Sequence, residues 1–370
     1  MLPKLDRLIL KELFPLWAFG VAVFSVLIMA GSFLFEITRF LSEGANLWAT
    51  LKLVLLLMPG IFAKTFAMAM LLASLLAFGR LSGDSEIVAM QAAGVSVWRI
   101  MLPVAIFGLT IGGVAFWFNN SVVPWASFQA FLTKDEIKAD LDQKSEQATF
   151  RAVYDEGRLQ AMVTAQSFDI IERVLTGANL TFFNKAKKPT WYMTADKLVY
   201  NGEEDWRIQG SAKLLSADGR NELQLKDGAW PAGLAKPRFT PEDLFFQNVR
   251  DLDALSMQQL KAQIERDKRN PQVARDKVAN MEFGYWNKIS LPLAAIIFGL
   301  VGAPLGIRSH RTSTASGFWM SVIIIFAYML LTNVMAIIAQ GGAIPSVAAS
   351  FTPIAAGLIA AGVLIKIKNG

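Results

Sequence analysis

Six long apolar stretches decide what this chain can fold into, because a helix needs roughly 20 such residues to cross a hydrocarbon core. They lie at about 13–35, 51–79, 100–123, 286–306, 314–338 and 347–366. Inside lipid every backbone N–H and C=O must be satisfied within the segment, so each stretch reads as a helix. Three spans precede and three follow a polar stretch, 124–283. The expected fold class is therefore an α-helical membrane protein of six transmembrane helices with an inserted domain. The chain divides into 1–123, 124–283 and 284–370.

Charge gives this layout a direction. The net charge is +6, and the basic excess sits on segments flanking the spans while the middle stretch is close to neutral. Lys4, Arg7, Lys11, Arg80, Arg99, Arg308, Arg311, Lys366 and Lys368 fall on one side, and Arg39, Lys52 and Lys288 on the other. That nine-to-three bias predicts cytoplasmic termini and an outward-facing middle domain. Nothing clusters into a basic patch, so nucleic acid is not an expected partner. The apolar run near the N-terminus is too long for a signal peptide and has no small-residue cleavage site after it, so it reads as a retained first helix.

Between 147 and 250 the pattern changes to short alternating runs: ATFRAVY (148–154), RLQAMVTA (158–165), ANLTFFN (178–184), KLVYNG (197–202) and ELQLKDG (222–228). Turn pairs such as Asn201-Gly202, Asp218-Gly219 and Asp227-Gly228 separate or end them. Short strands at this spacing predict an antiparallel all-β domain of sandwich or jelly-roll type. A helical return, 255–283, follows, with Ser256 as N-cap and a break at Asn270-Pro271.

Several chemistries are excluded. The chain has no cysteine, which rules out disulfides and thiolate catalysis. It carries no phosphate loop, no GxSxG elbow and no HExxH, so nucleotide hydrolysis would have to come from a partner. No cofactor or metal site is expected. The single histidine, His310, stands between Arg308 and Arg311 and reads as a solvated loop residue.

Two places retain functional interest. In 79–100, Ser82 is positioned to cap a short helix, near 82–94, with Asp84 and Glu86 in its first turn and Gly94 as its stop. It is too short to span. Its apolar Ile87, Val88 and Met90 would either rest on the lipid interface or dock into another protein, with Glu86 as the charged contact. Lys64 lies within the second span, where a charge is costly unless it snorkels outward or lines a cavity for an anionic ligand. Arg39 would share that rim or pair locally with Glu36. Gly108 and Gly112 in the third span, and Gly302 and Gly306 in the fourth, have the spacing that allows helices to approach closely.

The stretches FGRLSGDSEIVAMQAAGVS (78–96) and YWNKISLPLAAIIFGLVGAPLGIRSHRTSTASGF (285–318) resemble the LptF/LptG permeases, transmembrane subunits of the lipopolysaccharide-exporting ABC transporter. The architecture resembles that family along essentially the whole chain. The resemblance implies a bacterial inner-membrane protein that pairs with a second, homologous or identical permease subunit and binds a cytoplasmic ABC ATPase dimer. It also implies a periplasmic jelly roll that hands lipopolysaccharide to a periplasmic jelly-roll bridge protein. The coupling carboxylate of the family maps onto Glu86, in a contact that would include Asp84, Ile87 and Met90. Lys64 and Arg39 are candidates for holding lipid phosphates, although the family position directly after the proline is Gly60 here. The lipid would enter laterally between the first span of one subunit and the fifth of its partner. Phe150, Val153, Met162, Leu180 and Phe182 are candidates for the acyl-chain path, or else an ordinary sandwich core. A different class of function, a membrane-anchored structural or mechanotransmission protein with a partner-binding outer domain, fits the same layout.

Overall fold

The computed structural model describes residues 4–141, 149–155, 158–169, 173–184, 186, 188–202, 206–228, 230, 252–269, 273–307 and 314–369. The chain divides into two compact units. The first comprises Met1–Leu141, Asp251–Glu265 and Ala274–Gly370, and the second Asp142–Arg250 and Arg266–Val273.

The first unit is helical. Its elements are α1 (Lys4–Ser32), α2 (Leu34–Ser42), α3 (Leu47–Gly83), α4 (Glu86–Ala92) and α5 (Val97–Trp117), followed by a π-helical turn (Phe118–Val122) and α6 (Val123–Leu141). After the β strands come a 3₁₀ turn (Leu252–Ala254), α7 (Met257–Arg269, of which the residues from Arg266 on belong to the second unit), α8 (Arg275–Gly306), α9 (Thr314–Gln340) and α10 (Ser346–Asn369). Among the described residues, six helical stretches are long and apolar enough to cross a membrane: Lys4–Ser32, Leu47–Gly83, Val97–Lys134, Arg275–Gly306, Gly317–Gln340 and Ser346–Lys368. The third helical rod runs past residue 123 to Leu141, because the π turn re-aims the chain without ending the helix. The 37 residues of α3 make a rod about 55 Å long, well beyond the ~30 Å of hydrocarbon.

Lipid tails are as apolar as leucine, so spans associate through close packing and not through escape from water. Here α8 is the hub, and glycines set its contacts. A methyl placed on Gly108 would lie 2.9 Å from Ile296 Cα, and on Gly112 2.8 Å from Pro292 O, so α5 touches α8 backbone to backbone. On another face of α8, Gly302 and Gly306 leave the same kind of space, 2.9 Å from Leu71 O and 2.8 Å from Leu75 O, for α3. Both glycine pairs in the sequence are therefore seams of one bundle. Its core joins Ile9 and Leu13 of α1, Met70 to Ala73 of α3, Ile100 and Val104 of α5, and Ala294 and Phe298 of α8. The spans least covered by the chain's own helices are α9 and α1.

The second unit is an antiparallel sheet. Its strands are β1 (Thr149–Asp155), β2 (Arg158–Ala165), β3 (Ser167–Asp169), β4 (Val174–Phe183), β5 (Pro189–Tyr200), β6 (Trp206–Ser216) and β7 (Glu222–Gly228). They run in the order β1-β2-β4-β5-β6-β7, with β3 also on β4. This is a meander of sequential hairpins. Alternation on β5 and β6 buries Met193, Ala195, Leu198, Trp206, Ile208, Ala212 and Leu214 on one face. β6 carries no obvious strand signature because Gly210, at φ +88°, interrupts its alternation. The local irregularity is held by Asp196, whose carboxylate accepts from the Ser211 backbone N–H at 2.9 Å and hydroxyl at 2.7 Å. Those bonds, the hydroxyl's first, hold the Asp196 carboxyl below its ordinary value.

Candidate functional site

The turn between α3 and α5 differs from its sequence reading in one respect. Ser82 does not cap the short helix, because α3 continues through it to Gly83 and Asp84 closes α3 as its C-cap. Ser85 then takes the left-handed conformation, φ 62°, and α4 begins at Glu86. Gly94, at φ +85°, ends the turn as its position implies. The residues singled out there separate by exposure. Glu86 is half-buried, Asp84 is exposed and lies 3.8 Å from Arg80, and Val88 is 60% exposed. Ile87 is fully buried within the bundle core, with Met90 packed against the same cluster. The Ile87 side chain fastens α4 to the bundle. The outward apolar surface is carried instead by Val88 and by Trp98, 55% exposed at the start of α5.

Lys64 is paired with a carboxylate. Its Nζ lies 2.8 Å from the Asp253 carboxylate on the 3₁₀ turn. Beside it is a residue that sequence reading had counted only as a flanking charge. Lys288 of α8 is 2% exposed, and its Nζ donates to Asn119 O (3.2 Å), Asn119 Oδ1 (3.1 Å) and Asp253 O (3.0 Å). Asn119 belongs to the π turn, and the next residue, Asn120, accepts the Met257 N–H through Oδ1 at 3.0 Å. Two lysines from two spans therefore meet the same aspartate, one at its carboxylate and the other at its carbonyl.

Burial alone would raise the Asp253 carboxyl. Attraction to Lys64, the hydrogen bond from it and the nearby Lys288 together outweigh burial and hold it below the ordinary value. The stretch 252–257 is thereby strapped across spans two, three and four. Ser256 completes the strap by capping α7 as its sequence position predicts: its Oγ accepts from the Gln259 N–H at 3.3 Å, and Gln259 Oε1 accepts from the Ser256 N–H at 2.7 Å. The sequence signals for this cluster are faint: a polar pair, Asn119-Asn120, at the end of an apolar run, and a lysine just before one.

Arg39 pairs with Glu43 one turn on, Nε to Oε1 at 2.7 Å, and not with Glu36, which binds Lys134 of α6. The Glu43 hydrogen bond is the main reason its guanidinium is held above the ordinary value. Arg39 and Lys64 thus each have their own carboxylate.

Of the five acyl-path candidates, Leu180 and Phe182 are buried in the face of the sheet shared with Val163 and Ala161, their partners in register, and Phe182 meets Trp230 edge-on. Met162 pairs with Thr181, one step out of phase with that face, and is half-buried. The side chains of Phe150 and Val153 lie outside the described residues, as do Arg308, His310, Arg311 and the break at Asn270-Pro271.

Comparison with known proteins places this geometry. No curated protein matches the chain closely enough to count as a relative. The family described as lipopolysaccharide export system permease LptF/LptG matches residues 7–367, taking in all six spans, the α3–α5 turn and the β unit. The chain belongs to the LptF/LptG family of lipopolysaccharide export permeases, transport subunits that are multi-pass proteins of the inner membrane.

Proposed function

We propose that the chain is one permease subunit of an ATP-driven exporter that takes lipopolysaccharide from the outer leaflet of the inner membrane and passes it to a periplasmic bridge protein. The observation that carries this reading is the family match over both three-span halves together with the β unit between them. A chain without a nucleotide-binding motif needs an external engine, and α4 with its exposed Val88 and half-buried Glu86 is the surface such an ATPase would push. The charge asymmetry between the two sides supports cytoplasmic termini and α4, and a periplasmic β unit.

The pairing of two such subunits, identical or homologous, suits the bundle. α1 and α9 have the widest apolar surface left uncovered, with Phe14, Phe19 and Leu27 on one and Ile323, Phe326 and Ile337 on the other. In this reading a lipid gains lateral access between α1 of one subunit and α9 of the other. In this reading the meander sheet curls into an open jelly roll, and its apolar face, which holds Leu180 and Phe182, accepts acyl chains as it opens. Lys64 would meet a lipid phosphate only by exchanging Asp253 for it.

Photoreactive residues placed one at a time in α1, α3 and α9 of the complex with its ATPase test the reading. Lipopolysaccharide adducts that change with ATP turnover are the expected result. The absence of any lipid adduct under turnover would instead favour an anchored protein that moves nothing through the membrane.

A further inference from the structure

The helices on either side of the short α4, α3 before it and α5 after it, are each tied to α1 by an ion pair. Arg99, just after it, reaches Asp6 with Nη1 to Oδ1 at 2.6 Å, and Asp6 is 7% exposed. Arg80, just before it, reaches Glu12 at 3.0 Å and lies 3.8 Å from Asp84, the residue at which α3 ends. Ile9 and Leu13 share the Asp6 face of α1 at helical spacing, and both are fully buried in the cluster that holds Ile87, Val97 and Ile100.

The two ion pairs differ in weight. Arg80 is 67% exposed, and an exposed pair of this kind holds little. Asp6 has only 10% of its side chain exposed, so losing its partner would strand a buried carboxylate. α4 is therefore not a knob on a loose loop. The helix that follows it, α5, is bolted through Arg99 and Asp6 to the first helix, one of the two spans least covered by the rest of the chain.

We propose that the Asp6–Arg99 pair is a positioning element of the exporter: it transmits displacement of α4 to α1, so that an ATPase stroke on α4 moves the first span and not only the second and third. Glu12 and Arg80 steady the same motion. This inference rests on the proposed permease role. It assigns Asp6 and Arg99 no contact with lipid or nucleotide; they act through the helices they join.

The test uses the full complex of this chain, its permease partner and the ATPase in proteoliposomes, and reads lipopolysaccharide moved per ATP hydrolysed. Three variants are compared: Asp6→Asn, Arg99→Lys and the swap Asp6→Arg with Arg99→Asp. Asp6→Asn is expected to lower lipid moved per ATP about tenfold while ATPase binding and ATP turnover stay within twofold, with the swap restoring most of the loss. Arg99→Lys keeps the charge but not the fork, so it is expected to fall between, and it carries the test if Asp6→Asn does not fold. An unchanged ratio in the folded variants, or a parallel fall in ATP turnover and transport, overturns the proposal, because the pair would then be idle or merely structural. Wild-type complex that hydrolyses ATP and moves no lipid fails in a different way: it overturns the permease role itself and this inference with it.

Discussion

Replacing Lys288 by methionine keeps most of the stem and removes the ammonium. In the native protein that ammonium donates to three oxygens at 3.0–3.2 Å, from a residue only 2% exposed. The variant leaves two backbone carbonyls and the Asn119 amide oxygen without this donor. A buried acceptor left unmet costs about 1–3 kcal/mol, and part of the sum is offset because a buried charge no longer has to be kept from water. A net loss of about 3 kcal/mol is reasonable, and it falls on the strap at 252–257 because one of the acceptors is the Asp253 carbonyl. At about 1.4 kcal/mol per factor of ten, local opening of the strap should become roughly a hundredfold more populated.

Since the chain has no cysteine, Leu255→Cys provides a clean reporter in a side chain that is 1% exposed. Maleimide labelling tracks the open population when opening and closing are fast. In the Leu255→Cys background, Lys288→Met should speed labelling by about two orders of magnitude, while a control cysteine at Leu72 in the bundle core stays protected. A change below threefold at position 255, or an equal gain at both positions, would refute the reasoning: the first means Lys288 does not anchor the strap, the second that the whole bundle has loosened.

Three further outcomes are expected. Gly112→Ala would bring a methyl to 2.8 Å from Pro292 O, whereas at Gly113 nothing lies within 4 Å. Thermal inactivation in detergent should therefore show a loss of about 1–3 kcal/mol for the first and none for Gly113→Ala. The Asp253 carboxyl is held below its ordinary value, so its contribution to stability is fully present above the unfolded carboxylate pKa and is lost as pH falls through the depressed folded value. Strap protection read by the Leu255 reporter should hold from neutral pH to about 4.5 and weaken below it, and Asp253→Asn should flatten that dependence. Glu86→Lys should leave the protein folded in the membrane and abolish co-purification with the ATPase; retained binding and export would remove Glu86 from the contact.

The spans were legible because a hydrocarbon core imposes a length that no loop satisfies, and the seams at Gly108, Gly112, Gly302 and Gly306 because only a missing Cβ allows that approach. Ser256 was legible as a cap because its partner Gln259 is three residues away. Other features depended on information that local pattern does not hold. Ser82 looked like a cap, but the chain prefers to run α3 on to Gly83 and turn at Ser85, and nothing in a serine announces a left-handed backbone. Lys288 looked like a flanking charge because its partners Asn119 and Asp253 lie 169 and 35 residues away. The pairing of Lys64 with Asp253 was hidden for the same reason, and with it the fact that the cation has a carboxylate of its own. β6 was missed because Gly210 interrupts its alternation, and the register of β2 with β4 decides that Leu180 and Phe182 share a face from which Met162 is out of phase.

In the proposed role this chain is the moving membrane part of a lipopolysaccharide exporter. The most direct measurement is ATP-dependent release of lipopolysaccharide from proteoliposomes holding the complete complex to a soluble periplasmic acceptor, with and without this chain. Release is expected only when both this chain and ATP are present. Equal release without it, or none from an assembled complex that hydrolyses ATP, would overturn that role.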